Sequence, residues 1–483
     1  MNLLIACSEA VPYAKTGGLA DVTGSLLKEF RKDKLNVSLI LPLYSVIRER
    51  FRLVRTGKTV QVPMGNFEIE GVIWASDEGK YPEAYFIECD SFFGRPELYG
   101  TGEADYTDNA VRYIFFSRAV LETCLALDIE PDIIHCNDWQ TGLIPLYLRT
   151  LYVRHKQFSK TVSLLTLHNL GYQGIFDAGA MAYTGLGREF FVPEKLEFYG
   201  QMNFLKAGLL YADILNTVSP TYAKEILTPE QGFGLDGVLR MRQDDLHGII
   251  NGIDPVEWNP MNDPLLPAVY GGQDLRGKLE CKKTFCQHAR ITSRKAPLLG
   301  MVGRLSSQKG LDLVLSSFDE FIALGASIAV LGKGDDAYHA AFGRKARQHK
   351  GKVLITIGFE EAVAHRIYAA ADFYLMPSQY EPCGIGQLIA MRYGTVPIAR
   401  KTGGLADTID DYDHLREKGS GILFRDFTSA ALQDAVKRAL CVYRNGGSIT
   451  NIIQHCMSRE FSWRSSAAQY LALYGKAVKK VSP

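Results

Sequence analysis

Lys15-Thr16-Gly17-Gly18-Leu19-Ala20-Asp21 recurs word for word as Lys401-Thr402-Gly403-Gly404-Leu405-Ala406-Asp407. Each copy follows a strand-like apolar run and opens a segment of helical period. Two glycines at such a turn let the backbone approach a ligand, and the helix N-terminus offers free N–H groups and partial positive charge. The same turn is also a common strand-to-helix connection. A repeat of this length favours two similar α/β halves, each carrying such a loop.

Working outward, Leu3 to Ala6 precedes the first copy, and Leu19 to Phe30 follows with apolar residues at Leu19, Val22, Leu26, Leu27 and Phe30. Further strand candidates are Val37 to Leu41, Ile133 to His135, Val162 to Leu167, Ile214 to Val218, Leu298 to Val302, Ile328 to Leu331, Val353 to Ile357, Phe373 to Met376 and Val396 to Ala399. Strands alternating with helices imply an α/β fold of parallel sheets covered on both faces. The turn-rich stretch Asn251-Gly252-Ile253-Asp254-Pro255 marks the boundary between halves, 1–250 and 251–462. The C-terminal segment reads as one more helix.

The 483 residues fit two large domains. With 54 basic and 53 acidic residues the net charge is +1, so no basic excess points to nucleic acid. No uninterrupted apolar stretch is long enough for a membrane span, and the N-terminus reads as a strand rather than a signal peptide. Nine cysteines at irregular spacings, without C-x-x-C, argue against a disulfide scaffold and for a reducing cytoplasm.

Two nucleotide motifs fail. Gly57-Lys58-Thr59 resembles the end of a P-loop, but Arg52 stands where its leading glycine belongs, and no G-x-G-x-x-G follows the first strand. Asp411-Tyr412-Asp413 reads as a solvated loop. The stronger constellation is dispersed. Arg304 and Lys309 lie just past the strand Leu298–Val302, where parallel sheets bind ligands, and the two cations suit a phosphate. Glu381, in Pro377-Ser378-Gln379-Tyr380-Glu381-Pro382-Cys383-Gly384, follows the strand Phe373–Met376 and suits a sugar hydroxyl or a developing positive charge. Asp138 and His168 follow two strands of the first half and are candidates for sugar hydrogen bonds or proton handling. His135, His168 and Asp138 as zinc ligands are the weaker alternative, because no further ligand stands at typical spacing.

These residues, with Arg95 to Gly100, Tyr106 to Asn109, Asn203 to Gly208, Thr217 to Pro220, Gly232 to Gly237 and Asn251 to Asp254, resemble the starch-synthase-like family of retaining glycosyltransferases, to which bacterial glycogen synthases belong. The resemblance covers essentially the whole chain. It implies the glycosyltransferase-B architecture, two Rossmann-like domains with parallel sheets facing across a deep cleft, the final helix 463–483 returning to the first domain. It implies transfer of glucose from ADP-glucose to the non-reducing end of an α-1,4-glucan or malto-oligosaccharide, with no metal and no other cofactor. Glu381, Lys309, Arg304, His168 and Asp138 form the implied catalytic set. Lys15, Gly17, Gly18, Asn251, Phe359, Cys383, Gly384 and Ile385 bind the donor, Phe359 stacking on its base. Glu9, Asp21, Tyr99, Asn109 and Asn169 line the sugar and acceptor side.

The chain departs from the family pattern at Phe359, where a tyrosine is expected, at Gln379, where arginine is common, and at Asn137 and Gln140, where histidines are usual. Ile385-Gly386 also replaces a more typical pair. The competing readings are a UDP-glucose-using or other-acceptor transferase of the same fold, and a non-catalytic glucan-binding relative. The retained cations and Glu381 argue for an enzyme.

Overall fold

The computed structural model describes residues 1–77, 83–101, 104–293, 295–358, 360–413, 415–416 and 418–481. The chain divides into two compact units. The first comprises Met1–Val218, Ala223–Ile249 and the C-terminal segment from Trp463; the second comprises Ser219–Tyr222 and Ile250–Ser462.

In the first unit, apolar runs form a sheet from β1 (Asn2–Ala6), β2 (Asn36–Pro42), β3 (Leu53–Met64), β4 (Phe67–Ser76), β5 (Ala84–Glu88), β6 (Ile133–Asn137) and β7 (Val162–Leu167). A small separate sheet contains β8 (Ile175–Phe176), β9 (Glu197–Phe198) and β10 (Gln201–Asn203), and β11 (Ile214–Thr217) and β12 (Leu246–Gly248) complete the large one. The large sheet runs β12-β11-β7-β6-β1-β2-β5-β4-β3. The β1, β2, β6, β7, β11 and β12 strands pair in parallel, Ala6 standing beside Cys136 and Cys136 beside Leu165. Outside β12 and apart from Asn2, Asn36 and Ser38 their residues are buried, as in a sheet covered on both faces.

One part differs from the all-parallel expectation. β3 and β4 form an antiparallel hairpin, and β4 pairs antiparallel with β5. Val60, Val62 and Met64 are buried while their neighbours Thr59 and Gln61 are exposed, the alternation of a half-covered edge. Gly57-Lys58-Thr59 therefore lies within a strand.

The second unit carries a six-stranded parallel sheet from β13 (Leu298–Val302), β14 (Ser327–Gly332), β15 (Val353–Ile357), β16 (Phe373–Met376), β17 (Val396–Arg400) and β18 (Ile422–Phe424), in the order β15-β14-β13-β16-β17-β18. In both sheets the chain crosses from one side of its first strand to the other, between β1 and β6 in the first unit and between β13 and β16 in the second. At such a switch point the two connections leave on opposite faces and a crevice opens beyond the strand ends. The C-terminal helix Trp463–Val481 belongs to the first unit: Tyr474 Oη lies 2.8 Å from His135 Nδ1, and Tyr470 Oη accepts from Asn216 at 3.0 Å. Among the described residues, no helix is long and apolar enough to cross a membrane.

Candidate active site

In the first unit the candidate residues converge on the β1/β6 switch point. Glu9, 4% exposed, follows β1 and turns back on the Gly-Gly loop. Its carboxylate accepts from the Thr16 and Gly17 N–H groups, the latter at 3.0 Å, from Thr16 Oγ1 at 2.7 Å and from Tyr99 Oη at 2.7 Å. Since the Tyr99 proton goes to Glu9, Ser8 Oγ donates to Tyr99 Oη, 2.7 Å away. Asn109 holds this arrangement from behind, donating to the Tyr99 carbonyl at 2.9 Å while accepting from the fully buried Arg112 at 2.6 Å. Of the residues expected from the sequence on the sugar side, Glu9 hydrogen-bonds the Thr16–Gly17 loop and Asn109 bonds the Tyr99 carbonyl and Arg112.

What that loop presents outward is Lys15, exposed and 2.6 Å from Asp21 Oδ1, and the open space over Gly17, where an added Cβ would meet nothing within 4 Å. Burial raises the Asp21 pKa, opposed by the Lys15 charge. The helix Gly18–Lys32 begins directly behind.

Asp138 follows β6 with φ 55 and ψ −170, a strained positive-φ conformation that side chains other than glycine's seldom adopt. It donates its own N–H to the Thr166 carbonyl on β7 at 3.0 Å, and its Oδ1 accepts the His168 N–H at 2.7 Å. Burial pushes its pKa up to about 7; the backbone N–H groups of His168 and Asn169 oppose the shift and the nearby Glu9 charge adds to it. Asp138 therefore holds the His168–Asn169 backbone. His168 is part-buried, its Nε2 lies 3.0 Å from Asn137 Oδ1, and burial lowers its pKa to about 3, so the ring is neutral near pH 7. Asn169 Oδ1 closes a local turn onto the Gly171 N–H at 2.9 Å. His135 stands apart from this group. Both its ring nitrogens are engaged, Nδ1 with Tyr474 and Nε2 with Thr166 Oγ1 at 2.7 Å, which leaves neither for a metal.

In the second unit the loops after β13 and β16 meet at the other switch point. A Cβ on Gly310 (φ 68) would stand 2.0 Å from the Pro377 carbonyl oxygen, so only glycine permits this approach. The Gln379 N–H donates to the Gln308 carbonyl at 2.8 Å. These contacts bring Lys309 Nζ to 2.6 Å from Glu381 Oε2. Ser378 Oγ donates to the same oxygen at 2.9 Å. Glu381 is 5% exposed and Ser378 1%. With Oε2 taking both donors, Oε1 is the oxygen left for other contacts. Arg304 lies exposed on the β13 loop. Ser378 was not singled out from the sequence, although a serine three residues before the glutamate in a strand-end loop is a local signal for such a bond.

Cys383, Gly384 and Ile385 continue the Glu381 loop. The buried Cys383 thiol has its pKa pushed up to about 12 by burial, with the Asn251 N–H opposing the shift, so the thiol is not a nucleophile. Gly384 (φ 75) requires the left-handed conformation. Asn251 is 7% exposed, and its Oδ1 has no hydrogen-bond partner among the described residues. Phe359 lies outside the described residues.

The second copy of the repeat serves this loop from below. A Cβ on Gly403 (φ 44) would stand 2.0 Å from the Glu381 carbonyl oxygen, and one on Gly404 2.1 Å from that of Cys383. Asp407 accepts from Ser219 Oγ at 2.5 Å and from Thr221 N at 2.9 Å, unlike Asp21 with its lysine. One sequence thus faces open space in one unit and packs under the Glu381 loop in the other. Among the described residues no cluster of three or more His, Cys, Asp or Glu side chains is arranged to hold a metal ion.

Comparison with known proteins identifies the family. Residues 2–241 match the starch synthase catalytic domain family and residues 287–441 the group 1 glycosyl transferases. The chain is 46% identical to the glycogen synthase of Thermodesulfovibrio yellowstonii, covering 98% of this chain and 97% of that protein. It is 44% identical to the glycogen synthase of Syntrophotalea carbinolica, covering 99% of each. Among solved structures, the catalytic domain of starch synthase IV from Arabidopsis thaliana, bound to ADP and acarbose, superposes with TM-score 0.90 at 34% identity over 99% of each chain. A sucrose-phosphate synthase from Thermosynechococcus elongatus, at 17% identity and TM-score 0.62, shares the fold alone. Two sheets, each parallel around its switch point and with polar loops gathered there, matched end to end by such relatives, place the chain in the glycogen and starch synthase family of retaining glucosyltransferases, with the glycosyltransferase-B architecture.

Proposed function

We propose that this chain transfers glucose from ADP-glucose to the non-reducing 4-hydroxyl of an α-1,4-glucan, without a metal ion, in the cytoplasm. The observation that carries the reading is the second unit's Lys309–Glu381 pair, 2.6 Å apart at a switch point, with Ser378 fixing the same carboxylate oxygen. Breaking the bond between the anomeric carbon and the diphosphate leaves negative charge on the departing oxygens. Lys309 and Arg304 neutralise that charge most strongly in the transition state, which is where an interaction accelerates the reaction. Glu381 orients Lys309 and offers Oε1 to the glucose hydroxyls. In the first unit, Lys15 and the open face of Gly17 meet the substrates, and His168 hydrogen-bonds a sugar hydroxyl. The ADP and acarbose held by the Arabidopsis enzyme support a nucleotide-sugar donor and a glucan acceptor. Eight buried cysteines, none paired among the described residues, suit a reducing compartment.

The test is glucose transfer from ADP-glucose and, separately, from UDP-glucose onto short malto-oligosaccharides, with and without chelator. Transfer from ADP-glucose that resists the chelator is the expected result. Activity with UDP-glucose alone overturns the donor, sensitivity to chelator overturns metal independence, and glucan binding without transfer from either donor overturns the enzyme.

A further inference from the structure

Asn137, the last residue of β6, is one of the positions where this chain departs from the common family pattern, and nothing in the proposed chemistry uses it. It is fully buried. Its Nδ2 faces two carbonyl oxygens, those of Ala6 at 3.2 Å and His135 at 3.3 Å, which can only accept. The amide is thereby oriented, and Oδ1 is the atom left facing His168 Nε2 at 3.0 Å. A carboxamide oxygen can only accept, so the proton in that bond belongs to the imidazole. The same strand end is pinned by Thr141, whose Oγ1 accepts the Asn137 N–H at 2.6 Å and donates to its carbonyl at 2.9 Å. The backbone of His168 is held independently by Asp138 Oδ1.

We propose that Asn137 is a positioning residue that locks His168 as the Nε2–H tautomer, so that Nδ1 bears a lone pair and accepts a hydrogen bond from a sugar hydroxyl. A neutral imidazole has one N–H, and with that proton at Nε2 the other nitrogen cannot donate. Burial keeps the ring neutral, consistent with a pKa lowered to about 3. The site then requires a donor at that point of the substrate. A sugar lacking the hydroxyl leaves a buried acceptor unmet, whereas an unlocked ring adapts by exchanging tautomers. This deepens the proposed function, since it assumes that His168 meets a sugar.

The primary test does not require turnover. Nitrogen-15 NMR of histidine-labelled full-length protein, with the His168 signal assigned by its loss in His168→Gln, reads the tautomer directly. An Nε2–H ring is expected in the unmodified protein, and an Nδ1–H ring overturns the proposal whether or not the chain transfers glucose. Asn137→Leu, which removes the acceptor while keeping the branched outline of the side chain, is expected to give mixed tautomers and lower kcat by roughly 10- to 100-fold, with KM for the glucan changed less than about threefold. It should also narrow the discrimination between glucose and singly deoxygenated donors. Asn137→Asp, which keeps an oxygen facing Nε2, should preserve the Nε2–H form. A folded Asn137→Leu protein with unchanged kcat and tautomer, or an Asn137→Asp protein showing the Nδ1–H form, overturns the lock. If Asn137→Leu does not fold, the tautomer in the unmodified and Asn137→Asp proteins decides alone. Absence of transfer by the unmodified protein, with the ring in the Nε2–H form, refutes the proposed function and leaves the lock standing.

Discussion

At the scale of single residues, the second unit's site depends on one carboxylate oxygen with two donors. Removing Lys309 leaves the nearly buried Glu381 with Ser378 as its remaining partner on Oε2. Lys309→Ala is therefore expected to lose most transfer activity, a fall of roughly a hundredfold or more in kcat for a lost transition-state cation, while destabilising the unit by about 1–3 kcal/mol. Initial rates and thermal melts on the same protein check both parts. Ser378→Ala should fold normally and lower kcat about tenfold, because it frees the carboxylate to rotate without removing charge. In the first unit, pH acts on stability through buried histidines. Burial lowers the pKa of His135 and of His168 to about 3, against 6.5 when solvated. The unfolded chain thus binds protons that the folded chain refuses, and stability is lost as pH falls from about 6.5 toward 3. Asp138, raised to about 7 from 3.8, works in the opposite sense, its cost appearing as pH rises through that interval. Two histidines outweigh one carboxylate, so the first unit should be acid-labile. At pH 4 His135 alone should contribute roughly 3 kcal/mol to this loss. Thermal melts between pH 6.5 and 4 should show a shallower decline for His135→Gln, even if that variant is less stable throughout; an unchanged slope would exclude His135 as a source.

At the scale of elements, much was legible and the omissions have physical reasons. Most parallel strands were read because they are covered on both faces and so appear as short apolar runs; Ala84–Glu88, Leu246–Gly248 and Ile422–Phe424, which also pair in parallel at one side, were not. The β3–β4 hairpin was not, because one of its faces is solvated and its apolar residues are interrupted by Arg55, Thr59, Gln61 and Glu68. Alternation at Val60, Val62 and Met64, followed by the two-residue Gly65-Asn66 loop with Gly65 at φ 66, was the available signal. The loops carrying Arg304, Lys309, Glu381, Asp138 and His168 were legible because each follows an apolar run at a strand's carboxyl end. The hydrogen bonds that Glu9 and Asn109 make within the chain were not, since a sequence does not say which of its own groups a polar side chain meets. The repeated heptapeptide shows the same limit. Gly17→Ala should leave the melting temperature within about 2 °C, because its Cβ enters open space, and should raise KM for the sugar nucleotide. Gly403→Ala must clear a carbonyl 2.0 Å away at positive φ, and is expected to destabilise the second unit by more than about 2 kcal/mol. Calorimetry of the two variants side by side checks the asymmetry, and equal effects would refute it.

At the scale of the whole molecule, the chain's end belongs with its beginning. The C-terminal helix contributes Trp463, Ala467, Tyr470, Leu473, Tyr474 and Ala477 to buried positions, all at most 6% exposed. Tyr474 closes onto His135, Tyr470 onto Asn216, and Lys480 donates to the Asp213 carbonyl at 3.1 Å. Burying these four large side chains is worth on the order of 10 kcal/mol relative to exposing them, comparable to the whole stability of a typical domain. The helix N-terminus is also where the chain leaves the second unit, and the bridge between Ile253 and Ser462 sets the start and the end of the long Ile250–Ser462 segment side by side in that unit. Unit 2 owns its complete parallel sheet and a contiguous core from Ile253 to Cys456, none of which draws on residues after Ser462. A chain ending at Ser462 should therefore lose the first unit's unfolding transition in calorimetry while keeping the second unit's near its original temperature. Far-ultraviolet circular dichroism should retain the helical signal of unit 2, and transfer activity should vanish because the Lys15 and His168 loops lose their support. If both transitions disappear together, the units fold as one cooperative body. If both persist, the C-terminal helix is a dispensable cover rather than part of the first unit's core.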